Sequence, residues 1–238
     1  MKNLYFVFDL GGTLLKDNQP KIYQPDPKEF IEFGLEIPKN ISDIKTIIDQ
    51  LFVENFKESE KQVISNKIID DAILKMNLNI TRENLIELFW KLLGESNCEY
   101  IPLLPGAVEL LEKMKNCGME INALSNTALP LGLLEKILKL YGIWGYFNKI
   151  ILSGEQGWRK PSSKIFECLE KEIMYTSEDK IIFIGDSYDK DIVPSIERGY
   201  ETIYICDNQA PKINYTKKPK YTAKNLVEVQ NIIFKNYN

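Results

Sequence analysis

The stretch Leu4-Tyr5-Phe6-Val7-Phe8-Asp9-Leu10-Gly11-Gly12-Thr13-Leu14-Leu15 decides the fold. An apolar run of strand type ends on one carboxylate, and two glycines and a threonine follow at once. In open α/β sheets, ligands bind beyond the carboxyl ends of the strands. An aspartate there, ahead of a flexible turn with free backbone amides, suits phosphate or metal chemistry. By itself the stretch is equally an ordinary strand and tight turn with Asp9 as turn former. Its surroundings separate the two.

From residue 101 onward, strand and helix patterns alternate. Helices are predicted over 105–115, 129–140, 162–171, 191–197 and 226–234, and strands over 120–124, 149–152, 180–184 and 202–206. Such alternation predicts a parallel sheet covered on both faces. The middle of the chain reads differently. Residues 16–27 are polar and hold three prolines, a loop composition. Helical periodicity follows over 42–52, capped by Ser42, and over 60–76, with Val63, Ile64, Ile68, Ile69, Ala72 and Ile73 as the stripe. Thr81 opens another helix over 85–93. The predicted class is α/β: a Rossmann-like parallel sheet with helices on both faces, from 1–16 and 101–238, and an inserted all-helical subdomain over 17–100. The insertion's apolar stripes and its aromatics, Tyr23, Phe30, Phe33, Phe52, Phe56 and Trp90, read as its own core. Trp158 is the better candidate to face a pocket.

Composition narrows the chemistry. The 238 residues carry a net charge of −4 and are 44% apolar, enough for a sizeable core without a case for nucleic acid or an anionic membrane. The lysines at 217–220 read as solvated loop. Four separated cysteines fit neither a zinc site nor a disulfide scaffold, and the first apolar run is too short for a signal peptide, so a cytoplasmic protein with reduced thiols is expected. There is no histidine, which excludes Ser-His-Asp and Cys-His catalysis and histidine-ligated metals.

Four positions fall at predicted strand ends or in the loops after them: Asp9, Ser125-Asn126, Lys160 and Gly185-Asp186. The loops of a parallel sheet share one edge, so these groups can converge. An aspartate is a usable nucleophile toward phosphorus. A hydroxyl and an amide can bind the transferring oxygens, and a lysine can neutralise charge. Asp186, with Asp189 and Asp191 nearby, can hold Mg²⁺, a hard ion that prefers oxygen ligands.

At these residues the chain resembles the haloacid dehalogenase superfamily, mostly Mg²⁺-dependent phosphatases. The resemblance covers the predicted core, and the helical insertion stands where that family often carries a mobile cap. It implies Asp9 as nucleophile, with Gly12, Thr13, Ser125, Asn126 and Lys160 around the phosphate of a small phosphorylated metabolite. Lys160 would assist catalysis. It further implies metal ligation by Asp9, the backbone carbonyl of Gly11, Asp186 and Asp191.

Gly11 departs from the family pattern. The phosphatases carry there a second aspartate that protonates the leaving alkoxide and later activates water. General acid–base help is worth about 10²–10⁴ in rate, so weak hydrolysis is expected. A catalytically silent binding protein is the alternative. Two branches lack that aspartate as well. The 2-haloacid dehalogenases have an aromatic there and need no metal, whereas Gly185-Asp186-Ser187 with Asp191 resembles the metal-binding form. The phosphonoacetaldehyde hydrolases have alanine and a Schiff-base lysine in the cap, for which Lys21, Lys28, Lys39, Lys45, Lys57, Lys61 and Lys67 are candidates. Asp9-Leu10-Gly11-Gly12-Thr13 also resembles the phosphate-binding opening of sugar kinases and actin-like ATPases, but that fold continues into a β-hairpin, not a proline-rich loop and helices.

Overall fold

Tyr5, Phe6, Val7 and Phe8 are all buried, although side chains along a strand alternate between its two faces. Both faces of this strand must therefore be covered, which places it inside a layered α/β sheet. The computed structural model of the protein describes residues 3–16, 31–32, 34, 60–75, 77–97, 101–206 and 217–237. Six strands form one parallel sheet: β1 (Leu4–Phe8), β2 (Glu120–Ser125), β3 (Lys149–Leu152), β4 (Lys180–Gly185), β5 (Glu201–Ile205) and β6 (Tyr221–Ala223). Their spatial order is β3-β2-β1-β4-β5-β6, and every neighbouring pair is parallel. The order reverses between β1 and β4, the switch point at which such sheets bind ligands.

Alternation sorts the core into two layers. Phe6, Phe8, Ile121, Ala123, Ile182, Ile184 and Ile203 face α3 (Ala107–Asn116), α4 (Leu131–Leu140) and α8 (Leu226–Asn236). Tyr5, Val7, Leu124, Ile151 and Phe183 pack on the other side against Ile165, Phe166 and Leu169 of α6 (Ser163–Glu172). The remaining core helices, α5 (Ser153–Gln156) and α7 (Val193–Glu197), are short.

Two helices of the predicted insertion are described, α1 (Ser65–Lys75) and α2 (Arg82–Asn97). Thr81 caps α2 by accepting from the Asn84 N–H at 3.2 Å. The chain leaves the core beside its point of return. Lys16 N–H donates to the Pro102 carbonyl and Leu104 N–H to that of Leu14, each at 2.8 Å, around an antiparallel bridge of Leu15 with Leu103. A second seam lies at residues 60–65. Gln62 N–H donates to the Gly157 carbonyl at 3.0 Å and Arg159 N–H to that of Glu60 at 2.9 Å, and the buried Ser65 hydroxyl donates to the Ala128 carbonyl at 2.7 Å.

Three expectations change. The helix predicted from 60 begins at Ser65, because Lys61 pairs with Trp158 in an extended bridge. Val63 and Ile64 are accordingly exposed, while Ile68, Ile69 and Ala72 keep the buried stripe. The lysines at 217–220 are not simply solvated: Lys217 N–H donates to the Tyr188 hydroxyl, Lys220 N–H donates to Thr202 Oγ1, and β6 follows. The 42–52 helix, the loop from 17 to 27 and the aromatics Tyr23, Phe30, Phe33, Phe52 and Phe56 lie outside the described residues.

Candidate active site

The parallel register makes β1 and its two neighbours end together: Phe8 stands level with Ala123 of β2 and Ile184 of β4. Asp9 continues the ladder by one bond, its N–H donating to the Ile184 carbonyl at 2.9 Å. The chain then folds back, with the N–H groups of Thr13, Leu14 and Leu15 all directed at the Leu10 carbonyl. Gly12 has φ +80°, and a Cβ there would stand 2.2 Å from Asp186 Oδ2. Only glycine brings the loop after β1 so close to the carboxylate after β4.

Around this junction lies a cavity of about 330 Å³ lined by Asp9, Gly11, Ser125, Asn126, Lys160, Asp186 and Asp191. Arg159, Ser187 and Lys190 line it as well. Lys160 Nζ lies 2.6 Å from Asp9 Oδ1 and 2.6 Å from Asp191 Oδ1, and all three side chains are buried. Asp191 is also fixed through Oδ2, which accepts from the Ser187 N–H at 3.1 Å. Asp186 accepts from the Thr13 hydroxyl at 3.4 Å. Carboxylate oxygens of Asp9, Asp186 and Asp191 lie within 4.8 Å of one another.

Three carboxylates face one lysine, and the electrostatics follow from that imbalance. Burial pushes the Asp9 carboxyl well above the ordinary carboxylate range; Lys160 opposes the shift and the like charge of Asp191 adds to it. Asp186 is pushed up to about 6, by burial first and by Asp191 second. For Lys160, burial alone would lower the pKa, but Asp191 and Asp9 outweigh it and hold the ammonium charged. Such a set of hard oxygen donors, short of positive charge, fits a divalent cation of the Mg²⁺ type.

Of the positions expected from the sequence, Asp9, Gly11, Ser125, Asn126, Lys160, Asp186 and Asp191 line one cavity, while Gly12 and Thr13 lie behind it and do not. Other differences are specific. Asp189 is exposed and stands outside the carboxylate cluster. The five-residue π-turn Tyr188–Ile192 turns Asp191 inward in its place. Asn126 spends its side chain on the lysine loop: Nδ2 donates to the Lys160 carbonyl at 2.9 Å, and Oδ1 accepts from the Lys160 N–H at 2.8 Å. Its described side-chain contacts are thus a clamp on Lys160. Trp158 does not line the cavity; its ring lies 3.8 Å from Lys164 Nζ and 5.8 Å from Lys61 Nζ. Lys61 and Lys67 do not line it either, and the other five candidate lysines lie outside the described residues. Arg159 and Lys190 are not singled out by the sequence, yet each is a direct neighbour of a motif residue, and Ser187 is read there only as part of Gly185-Asp186-Ser187.

A buried carboxylate at the switch point, a clamped lysine and a carboxylate cluster suited to a cation fit the dehalogenase resemblance of the sequence. The family comparison agrees: residues 6–205 match the model of the haloacid dehalogenase-like hydrolases, and the chain belongs to that family. Among curated relatives, the glyceraldehyde 3-phosphate phosphatase of Methanocaldococcus jannaschii is 28% identical over 129 residues. That match covers 54% of this chain and 55% of the enzyme, so the chain spans about half the length of that relative. The phosphoglycolate phosphatase of Aquifex aeolicus is 27% identical over 199 residues, covering 82% of this chain and 81% of that one. Among solved structures, a phosphatase of the same superfamily from Thermococcus onnurineus superposes with a TM-score of 0.56 at 19% identity, over 98% of both chains, which supports the fold.

Proposed function

We propose that the protein hydrolyses a phosphomonoester of a small metabolite through an aspartyl-phosphate on Asp9. The observation that carries this reading is the buried Asp9–Lys160–Asp191 triangle at the carboxyl edge of the sheet, its two contacts each 2.6 Å. The phosphatases among the relatives support the substrate class. Asp9, the backbone carbonyl of Gly11, Asp186 and Asp191 would hold Mg²⁺. Bound there, the ion supplies positive charge against the phosphoryl oxygens.

The chain's own residues account for the rest. Asp9 attacks phosphorus, and the bond from phosphorus to the leaving oxygen breaks. Lys160, clamped by Asn126, orients the Asp9 carboxylate and offsets its charge. Ser125, which lines the cavity, faces the phosphoryl group, whereas Thr13 acts from behind, its hydroxyl donating to Asp186 and its N–H to the Leu10 carbonyl. The cap that the family resemblance implies covers the substrate, joined to the core where Leu14–Lys16 pair with Pro102–Leu104.

No side chain at Gly11 can protonate the leaving oxygen or activate water afterwards. Alkyl phosphates are therefore slow substrates, and phosphates whose leaving group departs without a proton are faster. Gly11 is not among the glycines with positive φ, so an aspartate there needs no left-handed backbone. Gly11→Asp is expected to raise kcat for alkyl phosphates by about 10²–10⁴ and to flatten the dependence of rate on leaving-group pKa. An unchanged rate in Gly11→Asp would contradict the reading and favour a silent, phosphate-binding relative.

A further inference from the structure

Of the three cations that line the cavity among the described residues, Lys190 alone is exposed. Lys160 is buried between two carboxylates, and Arg159 is 5% exposed. The Lys190 side chain has no ion-pair partner among the described residues. Its backbone is nonetheless fixed, since its N–H donates to Ser187 Oγ at 3.3 Å within the turn that aims Asp191 inward. Asp9 marks the floor of the cavity, 6% exposed, and Lys190 stands at its mouth. No apolar side chain among the described residues lines the space between. The described walls are polar throughout.

We infer that Lys190 is an anion subsite at the mouth of the cavity, selecting phosphomonoesters whose leaving group carries a second anionic group, a carboxylate or another phosphoryl. The inference rests on the reading of Asp9 as the phosphoryl site. A substrate with its phosphoryl group at Asp9 points its leaving group outward, past Lys190. An exposed ammonium is a strongly hydrated point charge and recruits an anion without demanding one geometry. Its preference is therefore for charge rather than for one shape.

The test uses three non-hydrolysable ligands titrated calorimetrically into the full chain with excess Mg²⁺: methylphosphonate, phosphonoacetate and propane-1,3-diphosphonate. The wild-type protein is expected to bind at least one doubly anionic ligand about tenfold more tightly than methylphosphonate, the scale of one charge-assisted contact. Whichever ligand shows the preference identifies the second group as carboxylate or phosphoryl. Lys190→Ala is expected to bring that ratio close to one, and Lys190→Arg to keep it. A wild-type protein without the preference, or a preference that survives Lys190→Ala, overturns the inference. Failure of all three ligands to bind instead removes the phosphoryl site, and the inference with it.

Discussion

Lys160 holds two buried carboxylates 2.6 Å from its ammonium, and its loss leaves both without their shared cation. Breaking a buried ion pair from one side costs about 3–5 kcal/mol. Lys160→Met is expected to lose stability on that scale in metal-free buffer, measured by chemical denaturation, and to be partly rescued by Mg²⁺. A loss below about 1 kcal/mol, the range of an exposed pair, would mean that the triangle is not buried as described. Residue types and order placed Asp9, Ser125 and Asp186 at the ends of apolar runs and Lys160 in the loop after another. By themselves they did not separate Asp189 from Asp191, which the family resemblance alone singled out. That choice is made by the π-turn, whose extra residue per turn changes which carboxylate faces inward. Nor did they show that the Asn126 side chain is committed to Lys160.

Among the elements, the start of β1 is tied to the turn before β4 by one carboxylate. Asp179 Oδ1 accepts from the Asn3 N–H at 2.8 Å, and Oδ2 accepts from the Thr176 N–H and hydroxyl at 2.9 and 2.8 Å. These bonds, that from Asn3 first, hold its pKa below the ordinary value. The folded state thus favours the ionised form. The resulting stability is present above the unfolded pKa of about 3.9 and is lost as pH falls through the lower folded value. In Asp179→Asn, melting temperature is expected to depend less on pH below about 4 than in the parent, and two parallel curves would dismiss the tie. Strand β6 shows where element patterns run out. Tyr221-Thr222-Ala223 is too short for alternation and follows lysines and a proline, and it is a strand because β5 offers a parallel edge. The start of α1 is likewise set from outside, by the pairing of Lys61 with Trp158.

For the whole molecule, the carboxylate cluster places the uncompensated charge of the core on the sheet's switch point, so a divalent ion that binds there stabilises the fold. At a hundred times its Kd, a ligand bound only to the native state adds about 2.7 kcal/mol. For a chain of this size that corresponds to roughly 5–10 °C in melting temperature. Mg²⁺ is expected to produce such a shift without substrate, chelation to reverse it, and Asp186→Asn to diminish it. An equal shift in Asp186→Asn would place the ion elsewhere. At this scale the sheet was legible, because buried strands and amphipathic helices alternate at lengths only a parallel α/β layer accommodates. The seam at 60–65 was not, because Gln62 and Ser65 meet Gly157 and Ala128 only once the chain is folded.

The central claim is that Asp9 takes the phosphoryl group and that Gly11 leaves the second half-reaction without its base. Intact-protein and peptide mass spectrometry after mixing with an aryl phosphate, Mg²⁺ and an acid quench tests both halves together. A single phosphoryl group is expected to accumulate on the peptide containing Asp9, to be absent in Asp9→Asn, and to fall in Gly11→Asp as its hydrolysis speeds up. A peptide that stays unmodified in the wild-type protein, or accumulation undiminished in Gly11→Asp, would contradict the account.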